Sequence, residues 1–568
     1  MAGLNTQRRY SKLTLLLLLI LITVNGCHQN INNTSDPVLI AASSKEPESD
    51  SSSPIYSQNN IDNDITKTVD HGQSSAKIVK KSSTPDKANP PELEASIQFI
   101  GQFDLKKLGE NTNADLFAFS GHSETFDINQ DGHDDLIIPI AAMNSNQRHV
   151  PNEFSKPILL FWDNNIEEYI IDEEVQKALP FMHFPRRIRS SINSKTGLTE
   201  IFIADTGLDL ANYDFSKGIE NLPPNCGAQN HLITYDPSTG KIDEIAIPIL
   251  WDYPHGIATG DLNGDQTTDY VLLNSPYIKY PEKCLFDGAD YTNENYVLYS
   301  NNNGGFDKTN LTLNYEEFSK PPTITSGEVI IDENNNNFLV LGSAGENSDA
   351  HLYLFKQDSK ASFTEISKVR APDILSEIGN PVYGEILVAD VDADGTKEVI
   401  AASNTMDNSI AMWVGRYIQL FDIKNEELKE RPNDITKTAS SLITKGYDWC
   451  HHLFFNEQTS WNKSILTCTN IEPQQKQRGS FYTWVNNKLQ LTKIKLKSAE
   501  DIETFKWMRS FYPVTLDQKT IFVGRTIYGK KIINGTKVYD SIKLYLIKPT
   551  IAEVKALVTK ENGNRNVD

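Results

Sequence analysis

Residues 127–138 read DINQDGHDDLII, an acidic loop that runs directly into an apolar segment. The same order recurs at residues 261–273, DLNGDQTTDYVLL, and at residues 390–402, DVDADGTKEVIAA. Each loop carries oxygen-bearing side chains at positions 1, 3, 5 and 9, and the apolar run that follows has the composition of a β-strand. A loop-then-strand pattern that returns along the chain predicts a fold made of repeated β-sheet units.

The spacing of the acidic residues predicts calcium sites, because side-chain oxygens at these positions surround a hard cation and position 7 offers a backbone carbonyl. The predicted ligands, with the carbonyl donor fourth in each loop, are Asp127, Asn129, Asp131, His133 and Asp135; Asp261, Asn263, Asp265, Thr267 and Asp269; and Asp390, Asp392, Asp394, Thr396 and Glu398. Oxygen ligands favour calcium over zinc or copper, and magnesium prefers to keep its waters. We therefore expect up to three structural Ca2+ ions. The alternative is an ion-free turn in which aspartates cap backbone amides.

The loops begin about 130 residues apart, and weaker copies lie midway, at residues 191–199 and 331–334. In the first of these copies Lys195 takes the fifth position, where an ammonium would replace the charge of an ion. A further pair of strand-like segments follows each loop or weaker copy. The pattern predicts an all-β, seven-bladed β-propeller of four-stranded blades over residues 94–550, with residues 96–101 supplying a strand that completes the last blade.

Over residues 100–548 these motifs resemble the FG-GAP/VCBS repeats of integrin-α-type seven-bladed propellers. The flanking segments 202–207 (FIADTG), 255–261 (HGIATGD) and 304–306 (GGF) are also similar to bacterial members of that family. The resemblance implies that each acidic loop joins the first two strands of a blade and binds calcium. The second loop departs from the family pattern because Gln266 stands where glycine is usual, and four blades lack a full ligand set.

The N-terminus predicts a lipoprotein. Residues 1–26 form a signal peptide with a basic start and a leucine-rich core, and Cys27 directly follows Gly26, as in a bacterial lipobox. Lipidation (palmitate) of Cys27 would anchor the exported protein to a membrane, which we expect to be the outer membrane of a Gram-negative bacterium, facing the periplasm or the surface. The alternative is an ordinary signal peptide followed by a free cysteine. Residues 27–93, rich in Ser, Asn and Pro, predict a disordered tether, and residues 551–568 a C-terminal tail.

The remaining four cysteines predict disulfides, because an even number in an exported protein usually pairs. Three pairings of four cysteines exist. We predict Cys450–Cys468, which would lie opposite each other on successive strands, and Cys226–Cys284, which would join long loops of neighbouring blades.

The net charge of −21 argues against nucleic acid as a partner. The long loops at the rim opposite the acidic loops carry several aromatic residues, and loops on a rigid scaffold often hold function. We expect this long-loop rim to bind a protein or a glycan, so that the protein is a binding or scaffold protein. The alternative is a propeller-fold enzyme, such as a polysaccharide lyase with convergent Arg, His and Tyr. A quinone-dependent dehydrogenase would need repeated Trp-docking motifs, which the sequence lacks.

No catalytic residue is predicted. His255 precedes the second acidic loop, and His183 precedes the weaker copy at residues 191–199; we assign both histidines a structural role. His451 and His452 are neighbours in a predicted strand, and alternate strand residues face opposite sides, which argues against a metal pair.

Overall fold

The structure is a computed structural model that describes residues 91–550, apart from internal gaps. The gaps longer than three residues are 106–115, 144–153, 208–229, 275–289, 316–321, 345–349, 408–411, 432–449 and 470–479. Cys27, Cys226, Cys284, the signal peptide, nearly all of the tether and the C-terminal tail therefore lie outside the described residues. So does most of the predicted long-loop rim.

The described chain is all-β, as predicted, with three short helices: α1 (Glu173–Ala178), α2 (Asp373–Ser376) and α3 (Ala499–Trp507). The strands of its first half are β1 (Glu92–Asp104), β2 (Leu116–Phe119), β3 (Glu124–Phe126), β4 (Asp135–Ile138), β5 (Ile140–Met143), β6 (Ile158–Asp163), β7 (Glu168–Ile170), β8 (Pro185–Ile192), β9 (Thr199–Asp205), β10 (His231–Asp236), β11 (Lys241–Ile245), β12 (Leu250–Trp251), β13 (Pro254–Gly260), β14 (Asp269–Asn274), β15 (Asp290–Tyr291), β16 (Tyr296–Ser300), β17 (Phe306–Asn310) and β18 (Thr312–Asn314). Those of the second half are β19 (Thr323–Ile331), β20 (Asn337–Ala344), β21 (His351–Ser359), β22 (Ser362–Arg370), β23 (Gly379–Ala389), β24 (Glu398–Asp407), β25 (Met412–Lys424), β26 (Glu427–Arg431), β27 (His452–Asn456), β28 (Ile465–Thr469), β29 (Ser480–Val485), β30 (Lys488–Leu496), β31 (Ser510–Leu516), β32 (Lys519–Tyr528), β33 (Lys531–Ile533), β34 (Thr536–Val538) and β35 (Ser541–Pro549).

Most of these strands form antiparallel units of four. In chain order, units 1 to 7 are β3-β4-β6-β7, β8-β9-β10-β11, β13-β14-β16-β17, β19-β20-β21-β22, β23-β24-β25-β26, β27-β28-β29-β30 and β31-β32-β35-β1. The first strand of each unit contacts the first strand of the next, and β31 of unit 7 contacts β3 of unit 1. The first strands of the units therefore form a closed ring of contacts.

Strand β1 completes unit 7 by pairing antiparallel with β35, as the sequence predicts for residues 96–101. Its first residues, Glu92–Ala95, also pair in parallel with Lys493–Leu496 of unit 6. The strand thus begins slightly before the predicted domain boundary at residue 94. Leu93 is buried, and the Glu94 carboxylate lies 3.0 Å from the ammonium of Lys495, which fixes this end of the strand in place.

The core lies between neighbouring units, because the inner strands are apolar on both faces. Every residue of β14 is buried, for example, whereas the outer strand β11 is largely exposed. One apolar cluster joins Val271 and Tyr299 of unit 3 to Leu339 and Phe355 of unit 4. The units also approach closely at Gly260, where an added Cβ would lie only 2.6 Å from the side chain of Val329. Glycine is required there because any side chain would push the two units apart.

Candidate functional site: acidic loops and an axial charge cluster

The three acidic loops share one hydrogen-bonded conformation. The position-1 carboxylates of Asp127, Asp261 and Asp390 each accept from the backbone N–H groups of positions 5 and 6 at 2.7–3.1 Å. The position-5 carboxylates likewise accept from the N–H of position 7. Each loop joins the first two strands of its unit, as the family resemblance implies.

The second loop keeps this conformation without the usual glycine. Position 6 has positive φ in all three loops, with Gly132 at 92°, Gln266 at 66° and Gly395 at 88°. A non-glycine residue in this region costs on the order of 1 kcal/mol. The loop therefore tolerates Gln266 at a cost in strain, which the backbone bonds to Asp261 offset.

The position-9 carboxylates lie beneath the loops and are almost fully buried. One oxygen of each accepts the N–H of loop position 2: Asp135 from Ile128, Asp269 from Leu262 and Glu398 from Val391. Burial raises the pKa of Asp135 well above its ordinary value, and raises the pKa of Asp269 and of Glu398 to about 7. These residues tie each loop to its sheet.

The third loop brings three carboxylates together. Oxygens of Asp390, Asp392 and Glu398 all lie within 4.8 Å of one another, and no other set of three carboxylates in the described ranges does so. Arg431, at the end of β26, lies among them, with Nη1 2.6 Å from Asp392 and Nη2 2.9 Å from Glu398. Its Nε donates to Asp422. The guanidinium supplies positive charge inside the predicted ion site, a feature absent from the loop sequence.

Arg431 already supplies positive charge to this third loop, but one ligand oxygen is left over, so its residues still fit a calcium ion. Asp392 Oδ1 is buried and has no hydrogen-bond partner, although Oδ2 of the same carboxylate meets Arg431. A buried carboxylate oxygen without a hydrogen-bond partner costs free energy unless a cation lies against it. Asp390, Asp392 and Glu398 would therefore hold Ca2+ through oxygens beside the arginine.

The first two loops have other neighbours. In the second loop, Asp265 lies 3.2 Å from the ammonium of Lys195. This lysine, which the sequence predicts to replace the charge of an ion in its own weaker loop, reaches into the loop of the next unit. In the first loop, His133 bridges Asp131 and Asp517 at 3.1 Å each. Among the described residues, neither of these two loops contains a buried carboxylate oxygen without a partner.

A second polar cluster, which we call the axial cluster, lies where the first strands meet. Arg187 of β8 donates from Nη1 to Glu385 of β23 at 2.7 Å, with its Nη1 3.1 Å from Nδ1 of His122. His452 of β27 lies 4.0 Å from the other oxygen of Glu385, and its ring is 4.7 Å from that of His122. All four side chains are buried. The sequence does not predict this cluster, because its members come from four different units.

A second ion pair lies two residues further along the same strand. Arg189 Nη2 is 3.1 Å from Glu328 of β19, and Glu124 of β3 lies close enough to interact electrostatically with both. Burial raises the pKa of Glu124 and of Glu328 to about 7, although Arg189 opposes the shift. Burial also raises the pKa of Glu385, and Arg187 opposes that shift.

Metal binding fits the axial cluster poorly. Ligand atoms of His122, Glu385 and His452 lie within 4.8 Å of one another, a spacing that a metal ion would accept. The guanidinium of Arg187, however, contacts both Glu385 and His122, and so already supplies the cation that a metal would provide. The adjoining cavity has a volume of only about 10 Å3, enough for one water molecule.

The remaining predicted residues have local roles. The backbone N–H of His183 donates to Asp205 at 2.7 Å and its ring packs on Phe154, which agrees with a structural role. His255 lies in β13, where its side chain is not described. Cys450 and Cys468 form a disulfide with Cα atoms 5.4 Å apart, which supports the predicted pairing. They are not directly opposite, because the strand register pairs Cys468 with Leu453.

Comparisons with known proteins name no family for the chain. No family model matches it, and neither does any curated protein. Among solved structures, a protein of unknown function from Dyadobacter fermentans is similar with 9% identity and a TM-score of 0.37, covering 77% of this chain and 99% of that one. A putative exo-β-1,3-galactanase from Bifidobacterium bifidum has 10% identity and a TM-score of 0.29, covering 56% and 95%. Similarities at this level do not establish a shared fold or activity. None of the described helices is long and apolar enough to cross a membrane.

Proposed function

We propose that this protein is an exported, lipid-anchored, seven-bladed β-propeller that binds structural calcium in its acidic loops. In this proposal the opposite, long-loop rim binds a protein or glycan ligand, and Cys27 carries the lipid. The observation that carries the calcium assignment is the third loop, where three carboxylates converge and Asp392 Oδ1 lacks a partner. The circular contacts among seven first strands support the propeller.

Thermal unfolding of the purified protein in millimolar calcium and in chelator tests the calcium assignment. An ion that binds only the native state stabilises it by about 2.7 kcal/mol at 100 times its Kd, so Tm should rise with calcium. Asp392→Asn should remove part of that rise. The matched control is Asp332→Asn, in a weaker loop whose aspartate only caps neighbouring backbone and side-chain amides. Equal Tm values in calcium and chelator would contradict the assignment.

The ligand assignment has a separate test. The purified protein would be screened on a glycan array and in pull-downs from envelope extracts, alongside a variant in which the long loop 208–229 is shortened. Binding that depends on this loop supports a ligand on the long-loop rim, and binding that survives its shortening contradicts that location.

A propeller-fold enzyme that acts on a polysaccharide is the second candidate, and the axial cluster favours it. Arg187, His122 and His452 converge on Glu385 near the N-terminal ends of the first strands, away from the acidic loops. The adjoining cavity is too small for a sugar ring, so this function requires the cluster to open on the substrate side. Release of reducing ends or unsaturated sugars from acidic polysaccharides, lost in folded Glu385→Gln, would support this candidate.

A further inference from the structure

A large groove lies on the rim that carries the acidic loops. Its volume is about 1150 Å3, and its walls are turns from three consecutive units. They are the turn joining β27 to β28, the turn joining β31 to β32, and the turn joining β6 to β7. Ligand pockets typically occupy about 300–1,000 Å3, so the groove has room for several sugar rings. It is separate from the long-loop rim of the proposed function.

Backbone bonds between the units hold the groove walls in place. The N–H of Ser460, in the unit 6 turn, donates to the carbonyl of Thr520 in unit 7 at 2.8 Å. The N–H of Asp134, in the first acidic loop, donates to the carbonyl of Thr515 at 2.8 Å, and Thr515 donates back to the Asp134 carboxylate at 2.6 Å. The turns of units 6, 7 and 1 are therefore fixed relative to one another before any ligand arrives.

The charged groups in the groove leave two ammonium groups available. Lys463, Lys519 and Lys548 line it; the ammonium of Lys548 donates to Gln98, whereas the ammonium groups of Lys463 and Lys519 have no ion-pair or hydrogen-bond partner among the described residues. Of the groove's three acidic residues, Asp517 meets His133 at 3.1 Å, and Glu167 accepts at 3.3 Å from the amide of Gln98, which is neutral and leaves the carboxylate charge in place. Glu457 is the third. The three lysines and three acidic residues of the groove balance in formal charge, so the attraction for an anionic ligand comes locally from the two ammonium groups that have no partner among the described residues.

The groove wall also contains hydrogen-bonding groups that lack partners. Trp162 is 5% exposed, and its indole Nε1 is buried without a hydrogen-bond partner. The hydroxyl of Ser460 is in the same state. Leaving such a group unsatisfied costs roughly 1–3 kcal/mol, which an oxygen of a bound ligand would recover. The backbone of Trp162 is held by Asp135 at 3.0 Å, so the indole is positioned from the first acidic loop.

The polar character of the walls favours a glycan over a protein. Asn164, Asn462 and Gln518 present side-chain amides, which suit sugar hydroxyls. The large apolar residues of the groove, Leu516, Ile521 and Leu546, are at most 8% exposed. Protein interfaces depend on accessible aromatic and apolar anchors, and this groove offers little such surface.

We propose that this groove binds an acidic oligosaccharide, with Lys463 and Lys519 facing sugar carboxylates and the indole N–H of Trp162 donating to a sugar oxygen. The site goes beyond the proposed function because it lies on the calcium-loop rim. It requires neither a ligand on the long-loop rim nor catalysis. Its failure would leave both of those assignments standing.

Titration calorimetry with a trimer of galacturonic acid, at fixed calcium, tests the proposal. The acidic trimer should bind, and a neutral galactose trimer should bind at least tenfold more weakly. Lys463→Ala with Lys519→Ala should weaken binding of the acidic trimer about tenfold, since each ammonium contributes a charge-assisted contact. Trp162→Phe preserves most of the packing and should weaken it about threefold to tenfold.

The matched control is Lys241→Ala with Lys493→Ala, which removes the same charge from exposed strand positions outside the groove. This variant should bind like the wild type. Equal binding of acidic and neutral trimers, an unchanged affinity in the folded Lys463/Lys519 variant, or no binding at all would each overturn the proposal. The two groove lysines are not buried, so their replacement leaves the fold intact and the test remains decisive even where Trp162→Phe fails to fold.

Discussion

Replacing Arg187 with methionine should destabilise the protein strongly, because the substitution leaves a buried carboxylate without its partner. Arg187 and Glu385 are 2.7 Å apart, and their side chains are 7% and 3% exposed. Removing one member of such a pair costs about 3–5 kcal/mol because it leaves an uncompensated buried charge, whereas replacing both members with well-packed apolar residues of similar volume is often neutral or stabilising. We therefore expect Arg187→Met to lower the free energy of unfolding by about 3–5 kcal/mol, and Glu385→Gln in the same chain to recover most of that loss.

The loss should depend on pH. Burial already raises the pKa of Glu385, and removing the guanidinium raises it further. A carboxyl whose folded pKa exceeds its unfolded pKa contributes stability at low pH, and this contribution is lost as pH rises through the folded value. Arg187→Met should therefore cost least in mildly acidic buffer and most at alkaline pH.

Urea unfolding, followed by tryptophan fluorescence and circular dichroism, measures these effects, and coincident curves would justify a two-state analysis. The surface pair Arg370–Asp373, whose side chains are 51% and 83% exposed, provides the control. Arg370→Met should cost no more than about 1 kcal/mol. An Arg187→Met variant as stable as the Arg370→Met control, or one that Glu385→Gln does not rescue, would refute the assignment of a buried pair that holds the first strands together.

Three further predictions concern other parts of the chain. Arg431→Met should enlarge the Tm difference between calcium and chelator, because Asp392 and Glu398 lose the guanidinium that offsets their negative charge. An unchanged difference would show that Arg431 does not offset that charge. Burial raises the pKa of Glu124 and of Glu328 from an ordinary 4.5 to about 7, so the free energy of unfolding should fall as pH rises from about 4.5 through 7. In Glu328→Gln the plot of unfolding free energy against pH should have a shallower slope, and a plot parallel to that of the wild type would contradict the shift. Non-reducing peptide mapping should recover Cys450 bound to Cys468, and Cys450→Ala with Cys468→Ala should cost about 3 kcal/mol for a loop of this length; free thiols at both positions would exclude the bridge.

Much of the fold could be predicted from sequence because its signals are local. An acidic loop and the strand that follows it occupy about a dozen consecutive residues, and β4, β14 and β24 begin at position 9 of their loops, one residue before the predicted apolar runs. The closing strand β1 was also predictable, since an apolar segment without a partner stood before the first loop. The register between neighbouring strands was harder to predict. The two cysteines were expected opposite each other, but Cys450 lies before the strand, and the bridge runs diagonally.

The axial cluster could not be predicted, because proximity around a closed set of strands is not encoded in local spacing. His122, Arg187, Glu385 and His452 are separated by tens to hundreds of residues. One sequence signal was available: Arg187 and Arg189 alternate in β8, which puts both on the same face of a first strand. Considered by itself, a strand face with two arginines is predicted to be exposed to solvent. Only the ring of first strands turns that face inward, where carboxylates from units 1, 4 and 5 meet it.

The acidic loops also have neighbours that local sequence spacing does not predict. Their ligand positions are the same, so the sequence predicts a calcium site in each, and only Gln266 sets the second loop apart. The structure gives each a different neighbouring basic group: His133, which is a cation only when protonated, in the first, Lys195 from the preceding unit in the second, and Arg431 from the outer strand in the third. Each cation changes the electrostatic gain on binding an ion, since a dication is attracted to the net charge of the site and not to its carboxylates alone. Calcium dependence should therefore differ among loops that share one motif, and the difference should follow these neighbours.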